Sequence, residues 1–206
     1  MSEQTITDVA NVQAFFNERL NEVMAQQGLE LRDGAMIYLV NLLTEFSDSR
    51  NLFEQTPDGY ALRPLAEQYA DAVNAPNAEE RNAALKHLGD VALFISGVFS
   101  GSLNRKLVDV DYYIAMGGSA YSYLADIFDS ALFGRARGEV FGELSAKFNR
   151  LVDVLDEFAE GTSLSSNTDV MRSYEVWMRT GSPRALEKLR RQGVIPVASR
   201  RPVVMQ

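Results

Sequence analysis

The segment LGDVALFISGVFSGSLNRKLVDVDYYIAMGGSAY, residues Leu88 to Tyr121, decides the fold prediction. Two runs without charged residues, 91–104 and 112–125, flank a dense polar stretch at 105–111. A helix that lacks charge on every side is usually surrounded by other helices. We therefore expect the two runs to form a central buried helical hairpin.

Apolar residues recur at helical spacing through almost the whole chain. Helices are predicted over about 7–27, 33–46, 64–73, 78–99, 107–131, 135–160, 169–179 and 183–192. Gly28 and Asn77 have the residue types that end and begin helices, respectively. We predict one all-α domain over 1–193, a bundle of about six to eight helices. An extended arm follows over 194–206, where Pro196 and Pro202 disfavour helix.

The composition is that of an ordinary globular protein. Of the 206 residues, 46% are hydrophobic and 23% are charged. Cysteine is absent, which excludes disulfides, thiolate metal sites and cysteine nucleophiles. Apolar runs such as 91–95 are far shorter than the roughly 20 residues of a membrane span, and the first residues lack a secretory pattern. We expect a cytoplasmic protein with no membrane partner.

The net charge of −8 is unevenly distributed. Residues 182–206 contain six cations and one anion, so they carry +5 and the rest carries −13. An acidic body disfavours nucleic-acid binding. The arm combines cations with apolar residues, and its candidate partner-binding residues are Arg200, Arg201, Val203 and Val204. Its own body and another protein stay open as docking surfaces, but we predict a second copy and a homodimer formed through the arm.

The polar stretch and its neighbours contain the candidate site residues. These are Asp90, Arg105, Lys106, Asp109, Asp111, Tyr112 and Tyr113. One interpretation is an acid/base or metal site. The other is a structural charge cluster that closes the hairpin, which we prefer because structural ion pairs also perturb ionisable groups. A carboxylate among apolar residues needs a partner, so we expect Asp90 and Arg105 to be buried and linked.

Small residues along the second run also suggest close helix packing. Ala115, Gly118, Ser122 and Ala125 form a stripe at helical spacing. Helices approach closely along such surfaces, and dispersion contacts increase with that approach. We expect Gly118 to lie against a neighbouring helix.

The side chains of this sequence give little support for a bound cofactor of any specific kind. The chain has one histidine and no Glu-x-x-His motif, which excludes the di-iron bundles. The stretch HLGDVALF, residues 87–94, resembles the Glu-Leu-Gly-Asp box of all-α nucleotide pyrophosphatases, where carboxylates hold Mg²⁺. That resemblance implies a metal-binding role for Asp90, but His87 stands in the place of the glutamate. We assign no metal site and name no cofactor.

Over Leu88–Tyr121 the chain also resembles a family of uncharacterised bacterial all-helical proteins. The resemblance implies a bacterial, cytoplasmic protein and transfers no activity or residue role. We predict a non-enzymatic helical interaction or regulatory protein. The alternative is a small-molecule-binding or Mg²⁺-dependent helical enzyme with an acidic, tyrosine-lined pocket, so whether the protein is an enzyme stays open.

Overall fold

A computed structural model describes residues 3–56, 59–99, 110–131, 134–160, 162, 170, 173–174, 176–178, 181–191 and 193–196. Over these residues the chain is an all-α helical bundle, as predicted. Its helices are α1 (Glu3–Gln27), α2 (Asp33–Phe46), α3 (Leu65–Asn74), α4 (Ala78–Val98), α5 (Val110–Ser130), α6 (Arg135–Ala146), α7 (Phe148–Glu160) and α8 (Pro183–Arg191). A 3₁₀ turn (Ser49–Leu52) and a small antiparallel hairpin of β1 (Glu54–Thr56) and β2 (Gly59–Ala61) connect α2 to α3.

Two helix ends follow directly from local sequence chemistry. Gly28 has a φ of +60°, and the Leu29 N–H donates to the Met24 carbonyl over 2.9 Å, which closes the end of α1. Asn77 begins α4: its Oδ1 accepts from the Glu80 N–H over 2.9 Å, and its Nδ2 donates to Glu80 Oε1 over 2.8 Å. Both predicted ends are confirmed.

Helix α4 is the central helix of the bundle. It packs against α3, α5 and α7, and every residue from Leu88 to Phe99 is buried. Around it, α1 packs against α2 and α7, α2 against α6, and α5 against α6. The absence of charge over residues 91–99 therefore reflects burial on all sides.

Helix α5 differs from α4 because it buries only one side. Its buried residues are Gly117, Ala120, Tyr121, Leu124 and Ala125. Its exposed residues include Tyr112, Ala115, Ser119, Ser122 and Tyr123. The second uncharged run thus covers α4 with one side and contacts solvent with the other.

Position 117 of α5 meets its neighbours more tightly than position 118, although Gly118 also lies against a neighbouring helix, as predicted: the Ser145 hydroxyl of α6 donates to the Gly118 carbonyl over 2.9 Å. A Cβ at position 117 would lie 2.5 Å from the Phe148 ring and 2.7 Å from the Ala92 Cβ. A Cβ at position 118 would find its nearest atom, in Phe148, at 3.9 Å, an ordinary contact. The side chains of adjacent helical residues point about 100° apart. Because α5 directs position 117 at α4, position 118 points away from α4.

A kink at Lys147 divides the single helix predicted over 135–160 into α6 and α7. Lys147 has φ −104° and ψ 8°, yet its N–H still donates to the Glu143 carbonyl over 3.0 Å. The Leu151 N–H in turn donates to the Lys147 carbonyl over 2.9 Å. Lys147 thus takes part in a helical hydrogen bond with each of the two helices.

Aromatic residues hold the C-terminal part of the chain against the body. The Tyr174 ring lies 5.2 Å from Phe53 and 6.1 Å from Trp177, and its hydroxyl accepts from the Leu62 N–H over 3.3 Å. Val194 is completely buried. Most of the predicted arm, including Arg200, Arg201, Val203 and Val204, lies outside the described residues. No helix in the described part of the chain is long and apolar enough to span a membrane.

Candidate functional site

The most distinctive polar group in the described core is the carboxylate of Asp90, which is only 3% exposed. Its Oδ1 accepts hydrogen bonds from the Tyr38 hydroxyl over 2.5 Å and from the Tyr121 hydroxyl over 2.6 Å. Its Oδ2 accepts from Lys86 Nζ over 2.6 Å. The cluster of Asp90, Tyr38, Tyr121 and Lys86, termed the Asp90 centre below, joins α2, α4 and α5.

The local sequence of α4 explains how this centre is assembled. Lys86 precedes Asp90 by four residues, so the two side chains share one side of the helix. The Lys86 side chain is 45% exposed, which places its aliphatic stem along the surface while its ammonium reaches the carboxylate. Gly89 leaves room for the Tyr121 ring, which any Cβ at that position would overlap. The Leu-Gly-Asp triplet therefore supplies space for a phenol ring and an acceptor for its hydroxyl.

Aromatic rings enclose the centre. The Tyr38 and Tyr121 rings are 6.2 Å apart in an edge-to-face arrangement. Phe141 of α6 contacts both, at 5.4 Å from Tyr38 and 5.6 Å from Tyr121, and Phe148 of α7 lies 5.8 Å from Tyr121. Such pairs add packing energy beyond the area that they bury. Five helices thus contribute side chains to one continuous cluster.

The electrostatics keep both phenols protonated. Burial raises the pKa of Tyr121 well above its ordinary value, and the negative charge of Asp90 raises it further. Burial and the Asp90 charge also raise the pKa of Tyr38. Neither hydroxyl is therefore suited to act as a base or nucleophile near neutral pH. Both are suited to donate hydrogen bonds to a carboxylate that would otherwise be buried without partners.

The predicted site residues do not form one described constellation. Asp90 is buried as expected, but Arg105, Lys106 and Asp109 lie outside the described residues, so its expected link to Arg105 stays a prediction. Asp111 and Tyr112 are exposed, and Tyr113 is half-buried with its ring 5.8 Å from that of Tyr112. Tyr112 and Tyr113 directly follow the polar stretch in the sequence, but neither of them donates to Asp90; Tyr38 and Tyr121 do.

Sequence reasoning missed Tyr38 and gave Lys86 and Tyr121 no defined role. Tyr38 lies in α2 among apolar core residues, including Met36, Leu39 and Val40. A phenol hydroxyl in such a setting usually has a hydrogen-bond partner, and that was the available signal. The partner, Asp90, lies 52 residues further along the chain, and the spacing of neighbouring residues cannot indicate contacts over so long a sequence separation.

A second polar cluster fixes the α1–α2 connection to α6. Both carboxylate oxygens of Glu143 accept from the Arg32 N–H, at 3.2 and 3.3 Å. Lys147 Nζ donates to Glu143 Oε1 and to the Glu30 carbonyl, both over 2.6 Å. The Glu143 side chain is only 9% exposed. This cluster satisfies backbone groups of a connecting segment, which is a structural role.

Two clefts open on the described surface. One, of about 500 Å³, lies beside the Glu143 cluster and is lined mainly by charged residues of α6 and the α1–α2 connection. The other, of about 580 Å³, lies between α8 and the residues Ser173 and Val176. Neither cleft includes a residue of the Asp90 centre among its described lining.

Within the described ranges, no group of three or more histidine, cysteine, aspartate or glutamate side chains is placed to hold a metal ion. His87 takes no part in the Asp90 centre, and its ring lies 6.5 Å from that of Phe46. No protein-family model matches the chain, and no curated protein or solved structure matches it either.

Proposed function

We propose that this chain is a non-enzymatic helical interaction protein of the bacterial cytoplasm. In it the Asp90 centre is a structural clasp, by which we mean a buried hydrogen-bonded cluster that holds α2, α4 and α5 together. One observation carries the proposal: both oxygens of a buried carboxylate already accept hydrogen bonds from Tyr38, Tyr121 and Lys86. A catalytic acid or base must come within hydrogen-bond reach of a substrate proton. Three donors already use most of the roughly four acceptor positions of the Asp90 carboxylate.

The exposed side of α5 supports a role in binding a partner. The residues Tyr112, Ala115, Met116, Ser119 and Tyr123, which we term the outer α5 face, include no charge over three helical turns. Tyr112 is 37% exposed and Tyr123 is 46% exposed. The cores of protein interfaces are depleted of charge and enriched in tyrosine and methionine. The two tyrosines, the methionine and the lack of charge fit that pattern, whereas alanine and serine are not enriched at interfaces.

Affinity capture with paired tyrosine variants tests the proposal. The full chain is immobilised, incubated with lysate of its source cells, and the bound proteins are identified by mass spectrometry. Tyr123→Lys places a charge on the outer α5 face and should abolish capture of the specific partner. Tyr121→Phe removes one buried hydroxyl on the opposite side of the same helix and should leave capture unchanged.

Two results would contradict the proposal. Capture that is the same for wild type and Tyr123→Lys would remove the outer α5 face from the interaction. A metabolite extract in which the wild type consumes a compound and a folded Asp90→Asn variant does not would show that the Asp90 centre performs chemistry.

We also infer self-association through the arm, on the strength of its mixed basic and apolar sequence. Light scattering of the full chain and of a truncated chain tests it. The truncation should follow Pro196, because Val194 is fully buried and its N–H donates to the Leu189 carbonyl over 2.9 Å. A full-length dimer that becomes a monomer on truncation is expected, and equal masses would exclude the arm-mediated dimer.

A further inference from the structure

Helix α3 is attached to the body of the protein by a small apolar contact. Seven of its ten residues are exposed, and the buried ones are Leu65, Gln68 and Ala72. The exposed residues include Tyr69 and Val73, which are 50% and 61% exposed. Packing of α3 on α4 therefore buries two apolar side chains, one of which is a single methyl group. Because hydrophobic stabilisation is proportional to the apolar area removed from water, this contact is weak.

The third buried side chain of α3 is polar and only partly satisfied. Gln68 is 5% exposed; its Nε2 donates to the Arg63 carbonyl over 3.1 Å, and its Oε1 has no hydrogen-bond partner. In the described part of the chain, the other buried side-chain polar atoms without a partner are Arg81 Nε and Asn82 Oδ1. Both belong to the first two turns of α4, the helix on which α3 packs. Such atoms destabilise the packed state, because water would satisfy them once they were exposed.

The recorded polar contacts of the α3 side chains are made within the same short segment. Arg63 pairs with Asp71 at 2.7 Å, and Asn74 Nδ2 donates to the Ala70 carbonyl over 2.7 Å. These contacts move with the helix and do not connect it to α4. Pro64 precedes the helix and supplies no side-chain cap. A helix of ten residues is marginal by itself and depends on packing for its position.

The chain is anchored on both sides of α3. Before the helix, the Leu62 N–H donates to the Tyr174 hydroxyl over 3.3 Å. After the helix, Asn77 caps the start of α4. Pro64 and Pro76 lie between these anchors and the helix, and proline has no N–H with which to continue a backbone hydrogen-bond ladder. The segment between the anchors can therefore move without unfolding the helices beyond them.

We propose that α3 releases from α4 as one unit while the rest of the bundle stays folded, and that the buried amide of Gln68 favours this release. Elements with few buried apolar contacts open at free energies well below that of global unfolding. Release lets Gln68 Oε1 bind water, and it exposes the surface of α4 that α3 covers. The inference goes beyond the proposed function, since it concerns the free chain and requires no partner.

Native-state hydrogen exchange, followed by NMR on the full chain, tests the release. The amides of residues 69–74 should share one opening reaction and exchange at least about 100-fold faster than those of residues 88–98 in α4. A shared opening distinguishes release of the whole helix from fraying, in which protection falls from the middle of a helix toward its ends.

A substitution at position 68 tests the role of the amide. Gln68→Leu removes the unpaired acceptor and adds a buried aliphatic side chain, at the loss of one hydrogen bond to the half-buried Arg63. It should slow exchange of the α3 amides about tenfold or more. Gln26→Leu is the matched control, because Gln26 is exposed on α1, and it should change α3 exchange less than about twofold. Circular dichroism checks that both variants retain their helix content.

Three results would overturn the proposal. Equal protection of residues 69–74 and 88–98 would mean that α3 opens only when the whole protein unfolds. Protection that is graded from the middle of α3 to its ends would assign its exchange to fraying. Unchanged or faster exchange of α3 in Gln68→Leu would show that the buried amide does not favour release.

Discussion

The Tyr121 hydroxyl donates a hydrogen bond over 2.6 Å to Oδ1 of Asp90, and both residues are buried. The phenol ring rests against the backbone of α4 at Gly89, where no Cβ intervenes. One side chain of α5 thus makes both a polar and a steric contact with adjacent residues of α4. A shift of one helix along the other would break the hydrogen bond and bring the ring against a side chain, so the pair fixes the register of the two central helices.

The raised pKa values of Tyr38 and Tyr121 predict a loss of stability in alkali. Above the ordinary tyrosine pKa of 10.0, the unfolded chain releases phenol protons that the folded chain retains. The unfolded state then binds fewer protons, so the free energy of unfolding falls as pH rises. Each of the two tyrosines should contribute about 1.4 kcal/mol of loss per pH unit above pH 10. Urea denaturation at a series of pH values measures the slope.

Two variants separate this linkage from general alkaline damage. Tyr121→Phe removes one titrating phenol and should reduce the slope above pH 10 by about 1.4 kcal/mol per unit. Leu124→Ala destabilises the same helix but retains both phenols, so it should lower stability at every pH and leave the slope as in the wild type. Identical slopes for wild type and Tyr121→Phe would contradict the protonated state assigned to Tyr121.

Adjacent glycines of α5 should respond oppositely to the same substitution. Gly117→Ala places a methyl group 2.7 Å from the Ala92 Cβ and should destabilise the protein by about 1–3 kcal/mol through overpacking. Gly118→Ala meets only an ordinary contact at 3.9 Å and should be neutral or stabilise by up to about 1 kcal/mol through helix propensity. Thermal melting of both variants tests this, and a larger loss at 118 would mean that α5 is rotated from its described orientation.

The Glu143 cluster predicts a strong effect of one lysine at the kink. Lys147→Met retains the aliphatic stem but removes the cation that satisfies Glu143 and the Glu30 carbonyl. We expect a loss of about 1–3 kcal/mol, because a nearly buried carboxylate loses a charged donor. Arg135→Met is the control: its pair with Glu139, at 3.5 Å, is exposed and should contribute nothing measurable. Equal chemical denaturation midpoints for the two variants would contradict a structural role for Lys147.

The helical class, the central position of α4 and several helix ends could be predicted because they depend on local patterns. Asn77 and Gly28 act through their immediate neighbours, and the uncharged run that begins at Val91 indicates burial directly. The side of α5 that packs could not be predicted, since both of its sides lack charge and contain small residues. Only tertiary packing distinguishes Gly117 from Gly118.

The partners of Asp90 could be predicted only in part. That a carboxylate in an apolar stretch needs donors follows from its desolvation, and Lys86 is within one helical turn. Tyr38 and Tyr121 are separated from Asp90 by 52 and 31 residues, and their approach depends on how three helices assemble. The same limit applies to the kink at Lys147, because the sequence has no glycine or proline there and the Glu30 carbonyl that Lys147 binds is 117 residues away.

The central claim is that the Asp90 centre is a structural clasp, and a double-mutant cycle between Asp90 and Tyr121 tests it most directly. Urea denaturation gives the free energy of unfolding for the wild type, Asp90→Ala, Tyr121→Phe and the double variant. We predict a loss of about 3 kcal/mol or more for Asp90→Ala, which leaves two buried phenols and Lys86 without their acceptor, and a coupling energy of about 1–3 kcal/mol. Unchanged or increased stability in Asp90→Ala, the behaviour of a carboxylate retained for function at the expense of stability, would contradict the claim.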